Sequence, residues 1–426
     1  MNVYRSDDTV VCSFVQLEHL RPLPASALDA AQRAVFLYDR DLRFSKASFA
    51  LDHPGQLFGE EGLHWLDSAR IAEKADPSVI PASLLALVGK GKVKAVNVRA
   101  PGYRELFAPL EGKKIRVNVL ALGDVGGTLA IGLRLLGGGE IDRIGIFDVR
   151  KEACERWEQE LNQIMDPDPA VQLPAVEILE ADRLFDCDLF VFCASAGVPP
   201  LEAGVEDVRM YQYAANAKLI RKYAREARLA RFRGWFAVVS DPVDLLCKTA
   251  LDESNRDGDG REDFMGLRPE QIQGYGLGVM AARAVYHASK TMRYAHYLRE
   301  GRAFGPHGKG LVIANSIERY DDELSMELTG LALNANLRIR ETGFKPYIAP
   351  ALSSGALSIL AMLRGQWHYS ANFLGGVYLG ARNRTTENGL CVERTPLPDM
   401  LMQRIGDVFD QLRERYKEQN KNDAHG

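Results

Sequence analysis

The chain has little that marks a secreted, membrane-bound or nucleic-acid-binding protein. Its six cysteines (Cys12, Cys154, Cys187, Cys193, Cys247 and Cys391) form no C-x-x-C pair and no metal-ligand spacing. That excludes a zinc finger or a disulfide framework, leaves no metal expected, and points to reduced thiols in a cytoplasmic protein. No apolar run approaches the roughly 18 residues that span a bilayer, and Arg5, Asp7 and Asp8 precede any apolar run at the N-terminus. Neither a membrane segment nor a signal peptide is expected. A basic excess is missing too: 53 Lys and Arg stand against 57 Asp and Glu, a formal net charge of −4. Phosphate-backbone binding needs the opposite balance, so nucleic acid is not an expected partner. Internal repeats and low-complexity tracts are likewise missing. What is present is a chain of 426 residues, 46% of them hydrophobic, long enough for two or three domains with real cores.

The most informative stretch runs from Ile115 to Asp148. An apolar run, Ile115 to Leu120, leads into Ala121-Leu-Gly-Asp-Val-Gly-Gly127, then a helical pattern, then Ile144 to Phe147 closing on Asp148. This reads as strand, turn, helix, strand. Such a unit places the unpaired N–H groups and positive dipole end of a helix under a pyrophosphate, while the carboxylate accepts hydrogen bonds from an adenosine ribose. Gly123, Asp124, Val125 and Gly126 would form the cradle, with Gly123 and Gly126 at the second and third glycine places and Ala121 at the first. Asp148 would repel a 2′-phosphate, which favours NAD over NADP. Taken alone, the pattern also fits an ordinary α/β turn.

Residues 1–112 read as a separate module broken by Pro22, Pro24, Pro54, Pro77 and Pro101, with strands at Thr9–Val15 and Arg33–Tyr38 and a short helix at Ile80–Leu87. A packing or oligomerisation element is one reading and a regulatory or ligand-binding module another. Gly89-Lys-Gly-Lys92 lacks the glycine spacing and the following hydroxyl of a phosphate loop and reads as a turn. From 113 onward strands and helices alternate: Asp188–Cys193 is a buried strand, Met210–Ala230 a long helix, Trp235–Val239 the next strand. The expected fold is α/β, a doubly wound parallel Rossmann sheet over 113–266 followed by an α+β substrate domain over 267–426. Helices are expected in the latter at Gly278–Leu298, Asp321–Thr342 and Met400–Lys417.

After the turn at 121–127, five segments follow in fixed order: Ser195-Ala-Gly-Val-Pro199, Arg209 ahead of Asn216-Ala-Lys-Leu-Ile220, Val239-Ser-Asp-Pro-Val-Asp244, Gly278-Val-Met-Ala-Ala-Arg283 and Gly305-Pro-His-Gly308. Together they resemble the lactate and malate dehydrogenase family over roughly 113–420. The resemblance implies that His307 is the acid/base exchanging a proton with the substrate hydroxyl, a task suited to imidazole near neutral pH. It implies that Arg283 holds the substrate carboxylate with a bidentate fork, and that Arg209, at the end of a mobile loop, polarises the substrate carbonyl. Ala196, Gly197, Asn216, Val239 and Ser240 match further cofactor-lining places, and Ser353 a place near the pocket floor. A homodimer or homotetramer is implied as well.

The departures carry information. Met280 stands where the family has the aspartate that orients the histidine, and a thioether cannot fill that role. Asp241 replaces the asparagine near the reacting oxygen. Either it takes over the missing carboxylate's part toward His307, or its charge tunes the site toward a different substrate. Where malate-type members carry an arginine for a second carboxylate the chain has Pro200, followed by Glu202, Glu206 and Asp207, which favours a lactate-like over a malate-like substrate. Outside the resemblance, Asn255-x-Asp257-x-Asp259-Gly260 with Asp263 begins like a calcium loop, but Gly266 holds the place of the bidentate glutamate, and a solvated acidic insertion is the preferred reading. The expectation is therefore an NAD-dependent oxidoreductase acting on a small-molecule 2-hydroxy or 2-oxo acid. A non-catalytic NAD-binding protein, or a dehydrogenase retuned for an amine-bearing substrate, stays open.

Overall fold

The computed structural model describes residues 1–196 and 208–423, the side chains of 208–211 and 419–423 excepted. Six parallel strands form one side of the larger sheet, in the order Ala175–Ile178, Ile141–Phe147, Ile115–Leu120, Leu189–Phe192, Trp235–Val238 and Ile272–Gly274. Counted along the chain this is 3-2-1-4-5-6, the doubly wound arrangement. Strands buried on both faces read as continuous apolar runs, which is why Leu189–Phe192 has no polar member and is fully buried. Alternate residues serve opposite layers. Val117, Val119, Leu189 and Val191 pack against helices Asp124–Leu136, Lys151–Asn162 and Leu357–Leu363. Phe190, Phe192, Phe236 and Val238 share a core with Val208–Leu229 and Val243–Ser254, and Asp399–Asp423 lies over the latter, where the Tyr416 hydroxyl donates to the Asp244 carbonyl at 3.0 Å.

The sheet continues past the 266/267 boundary expected from the sequence. Its sixth parallel strand, Ile272–Gly274, pairs antiparallel with His368–Leu374, which leads to Val377–Thr386 and Gly389–Val392 and makes nine strands in all. The helix expected at 278–298 is broken: it spans Leu277–Ala288, and a new turn starts at Thr291, whose hydroxyl accepts the Arg293 N–H at 3.3 Å, before Tyr297–Glu300. Capping by a side-chain oxygen competes with helix continuation there.

Residues near the N-terminus form a second, six-stranded sheet in the order Arg21–Leu23, Asn2–Ser6, Thr9–Ser13, Ala34–Tyr38, Val93–Asn97 and Ser48–Leu51. Polar contacts fasten it to the larger unit. Glu270 accepts the Ala47 N–H at 2.9 Å and the Ser48 hydroxyl at 3.1 Å, Arg394 pairs with Asp52, and the Leu110 N–H reaches the Glu387 carbonyl at 2.7 Å. Inside the module Lys46 and Glu61 form a buried ion pair. Among the described residues no helix is long and apolar enough to cross a membrane.

Candidate active site

A cleft of about 1350 Å³ opens at the carboxyl ends of the parallel strands. Strand order reverses there, between Ile115–Leu120 and Leu189–Phe192, and the turns leaving neighbouring strands diverge to leave a crevice. Its walls include Gly123 and Asp124 after the first strand, Asp148 after the second, Ala196 after the fourth and Asp241 after the fifth.

At one end is the glycine turn. Gly123 caps helix Asp124–Leu136 and has open space where a side chain would stand, so a ligand can approach its backbone closely. A Cβ at Gly126 would overlap the Ala121 carbonyl, so only glycine fits there. Ala121 itself has φ +72°, a left-handed conformation that glycine adopts without cost and alanine does not. Asp148 accepts the Leu122 N–H at 2.8 Å and the Arg150 N–H at 3.0 Å, and it pairs with the Arg150 guanidinium at 3.2 Å. Burial disfavours its charge, but these donors outweigh burial and hold the carboxyl below its ordinary value. Each carboxylate oxygen can accept more than one hydrogen bond, so ribose hydroxyls remain acceptable partners. An open glycine, a helix N-terminus and an ionised carboxylate closing the second strand fit the pyrophosphate and ribose of NAD.

Ala196 lines the cleft, whereas Asn216, Val239 and Ser240, also inferred for the cofactor, are not among its lining residues. Asn216 is buried, accepting the Ala196 N–H at 2.8 Å and donating to the Asp241 carbonyl at 2.7 Å, while the Ser240 hydroxyl donates to the Ala194 carbonyl at 2.7 Å. These two side chains tie the turns after the fourth and fifth strands together. Val239 N–H bonds the Phe192 carbonyl at 3.0 Å and extends the strand pairing. Gly197 and the side chain of Arg209 lie outside the described residues.

At the other end stand His307, Asp241, Met280 and Arg283. His307 sits in a turn whose Gly305 has φ +83°, a conformation that suits only glycine readily. Its Nδ1 lies 2.9 Å from Asp241 Oδ1. Met280 and Arg283 are three apart on helix Leu277–Ala288 and therefore share a face. Arg283 Nη1 lies 3.4 Å from both the Met280 sulfur and the Ala332 carbonyl. Burial pulls the guanidinium below its ordinary pKa while Asp241 pulls it back up, and arginine stays a cation throughout. Cys193 also lines the cleft, but burial pushes its thiol up to about 12, too high for a nucleophilic thiolate near neutral pH.

Ser353 packs over the start of helix Leu277–Ala288, its carbonyl taking the Ser358 hydroxyl at 2.7 Å, and is not among the cleft-lining residues, whereas Pro346, Tyr347 and Pro350 before it are. The acidic loop is held by protein partners: Arg228 grips Asp263 at 2.6 and 2.7 Å, and Asn255 bonds the Leu251 and Leu267 carbonyls. Sequence reasoning missed Asn336, Arg340 and Lys345, which line the cleft from helix Asp322–Glu341 and the residues after it. No local pattern signals them, since the nucleotide turn that Lys345 reaches, 3.1 Å from Asp124, is 221 residues away.

No family model matches the chain. It is 25% identical over 334 residues, 71% of this chain and 97% of the relative, to L-lactate dehydrogenase 2 of Staphylococcus aureus strain Newman. Among solved structures it is similar to MGS-M5, a lactate dehydrogenase from a Medee basin deep-sea metagenome library, with TM-score 0.58, 19% identity and coverage of 71% of this chain and 98% of that one. A second is malate dehydrogenase from Plasmodium falciparum, with TM-score 0.54, 16% identity and coverage of 70% and 96%.

Proposed function

We propose that the chain, which is similar to lactate and malate dehydrogenases and reads as a divergent member of that family, is an NAD-dependent oxidoreductase interconverting a 2-hydroxy acid and a 2-oxo acid. The observation that carries this reading is the 2.9 Å contact of His307 Nδ1 with Asp241, in the cleft that Arg283 also lines. When bound, NAD supplies the nicotinamide that takes up or gives back the hydride. Arg283 would hold the substrate carboxylate as a planar fork. With Nδ1 engaged by Asp241, Nε2 of His307 is the atom that takes the hydroxyl proton during oxidation and returns it during reduction. The nearby carboxylate stabilises the imidazolium formed on the way. Arg209 would polarise the reacting carbonyl, a role resting on the family resemblance alone.

The test is NADH formation on mixing the protein with NAD and a panel of 2-hydroxy acids. Activity with at least one of them, falling by about 100-fold or more in His307→Asn with NADH binding retained, is the expected result. Unchanged turnover in that variant removes His307 from the reaction, and NADH binding without turnover of any 2-hydroxy acid replaces the enzyme reading with a binding one.

A further inference from the structure

We propose that Lys345 binds the phosphate groups of the cofactor, so that the segment after helix Asp322–Glu341 completes the nucleotide end of the cleft. The proposal rests on the cofactor reading above and adds to it a residue that no local motif marks. Helix Asp322–Glu341 ends beside the cleft, and the chain turns at Gly343, whose φ of +86° glycine adopts readily. Phe344, Lys345, Pro346 and Tyr347 then line the cleft wall. Pro346 disfavours helical backbone at the residue before it, and the chain stays out of helix from 345 to 347. Lys345 is thereby free to reach the turn that follows the first parallel strand.

The Lys345 ammonium stands 3.1 Å from the carboxylate of Asp124, the first residue of helix Asp124–Leu136. Asp124 holds a negative charge beside the unpaired N–H groups of that helix end, where a second anion meets repulsion. A cation at the same spot cancels the repulsion, and the three N–H donors of an ammonium can serve Asp124 and phosphate oxygens together. Gly123, next to Asp124, leaves open space for the approach. The pair is too exposed to hold the fold, with side-chain exposures of 80% for Lys345 and 50% for Asp124. Arg150, by contrast, is drawn to Asp148 at 3.2 Å, on the ribose side of the turn. Lys345 is therefore the cation placed to serve the pyrophosphate.

Because its side chain is exposed, Lys345→Gln does not threaten the fold. Titration of NADH and of ADP into the parent, Lys345→Gln, Asp124→Asn and the double variant, at low and at high ionic strength, tests the proposal. Lys345→Gln should weaken both ligands about 5-fold or more at low ionic strength and much less at high, since salt screens an exposed contact. In the Asp124→Asn background the same substitution should weaken them by a similar factor. If its effect disappears in that background, Lys345 only neutralises Asp124 and the proposal is overturned. A loss equal at both ionic strengths, or no loss at all, overturns it as well. If the parent binds neither NADH nor ADP, the cofactor reading itself fails, an outcome distinct from a Lys345→Gln variant that binds like the parent.

Discussion

At the end of the cleft proposed for the nucleotide the surface is built largely from backbone: an open glycine, the N–H groups of one helix turn, and a carboxylate held in place by two main-chain donors. At the end proposed for the chemistry it is built from side chains, and two of those differ from what the resemblance implies. Helix Leu277–Ala288 presents Met280 where the resemblance implies a carboxylate, and the carboxylate facing His307 comes from the turn after strand Trp235–Val238. Backbone geometry tolerates substitution as long as φ and close approach are met, which is how Ala121 stands in for glycine. An acid/base pair needs only a carboxylate within hydrogen-bond reach of the imidazole, so the donor of that carboxylate can move to another element.

The largest effect that would break this comparison is expected at Asp241. Asp241→Asn keeps the shape and removes the charge, and turnover should fall by about 100-fold or more, as removal of an orienting carboxylate does in other acid/base sites. Adding Met280→Asp to that variant should recover part of the loss, since it returns a carboxylate to the neighbouring helix face. If Asp241→Asn is as active as the parent, or faster on simple 2-oxo acids, the charge serves to discriminate substrates and the relocation argument is wrong.

A smaller effect is expected at Asp148, the carboxylate at the proposed nucleotide end. Asp148→Asn should weaken NADH about 10-fold, the scale of one charged hydrogen bond, as read by fluorescence titration. Its pH behaviour follows from a folded pKa held below the ordinary carboxylate value. The ionised form contributes stability above the unfolded value near about 4, and that contribution is lost as pH falls through the depressed folded value. Acid unfolding curves of the parent and of Asp148→Asn should therefore converge at low pH and separate above it. Curves parallel throughout would show that the carboxylate's bonds to Leu122 and Arg150 do not stabilise the fold.

The smallest effect is expected at Ala121. Ala121→Gly relieves a left-handed alanine at a cost in unfolded-state entropy, leaving a net gain below about 1 kcal/mol and a rise of one or two degrees in Tm. A fall in Tm would mean that the methyl group's packing outweighs the strain.

Much of the nucleotide end was legible because its signals are local. Ile115–Leu120, the turn and Ile141–Phe147 follow closely in the chain, and their apolar runs and glycine spacing encode the strand, turn, helix and strand that form there. His307, Asp241 and Arg283 were legible as candidates from their short motifs. Whether Asp241 approaches His307 was not, because 66 residues separate them and either reading of its charge suited the sequence. Asn336 and Arg340 carried no signal at all: a polar residue on an amphipathic helix is ordinarily a solvated one. The docking of the N-terminal sheet through Glu270 and Arg394 was hidden for the same reason.

The sequence by itself determined the doubly wound core, the position of the nucleotide turn and the set of residues able to do chemistry, since hydrophobic period, glycine tolerance and side-chain functional groups are properties of short stretches. Only the tertiary structure decided which carboxylate faces the histidine, that Asn336, Arg340 and Lys345 line the cleft, and that the sheet runs on into the C-terminal strands. Those outcomes depend on distances between segments far apart in the chain, and packing sets them.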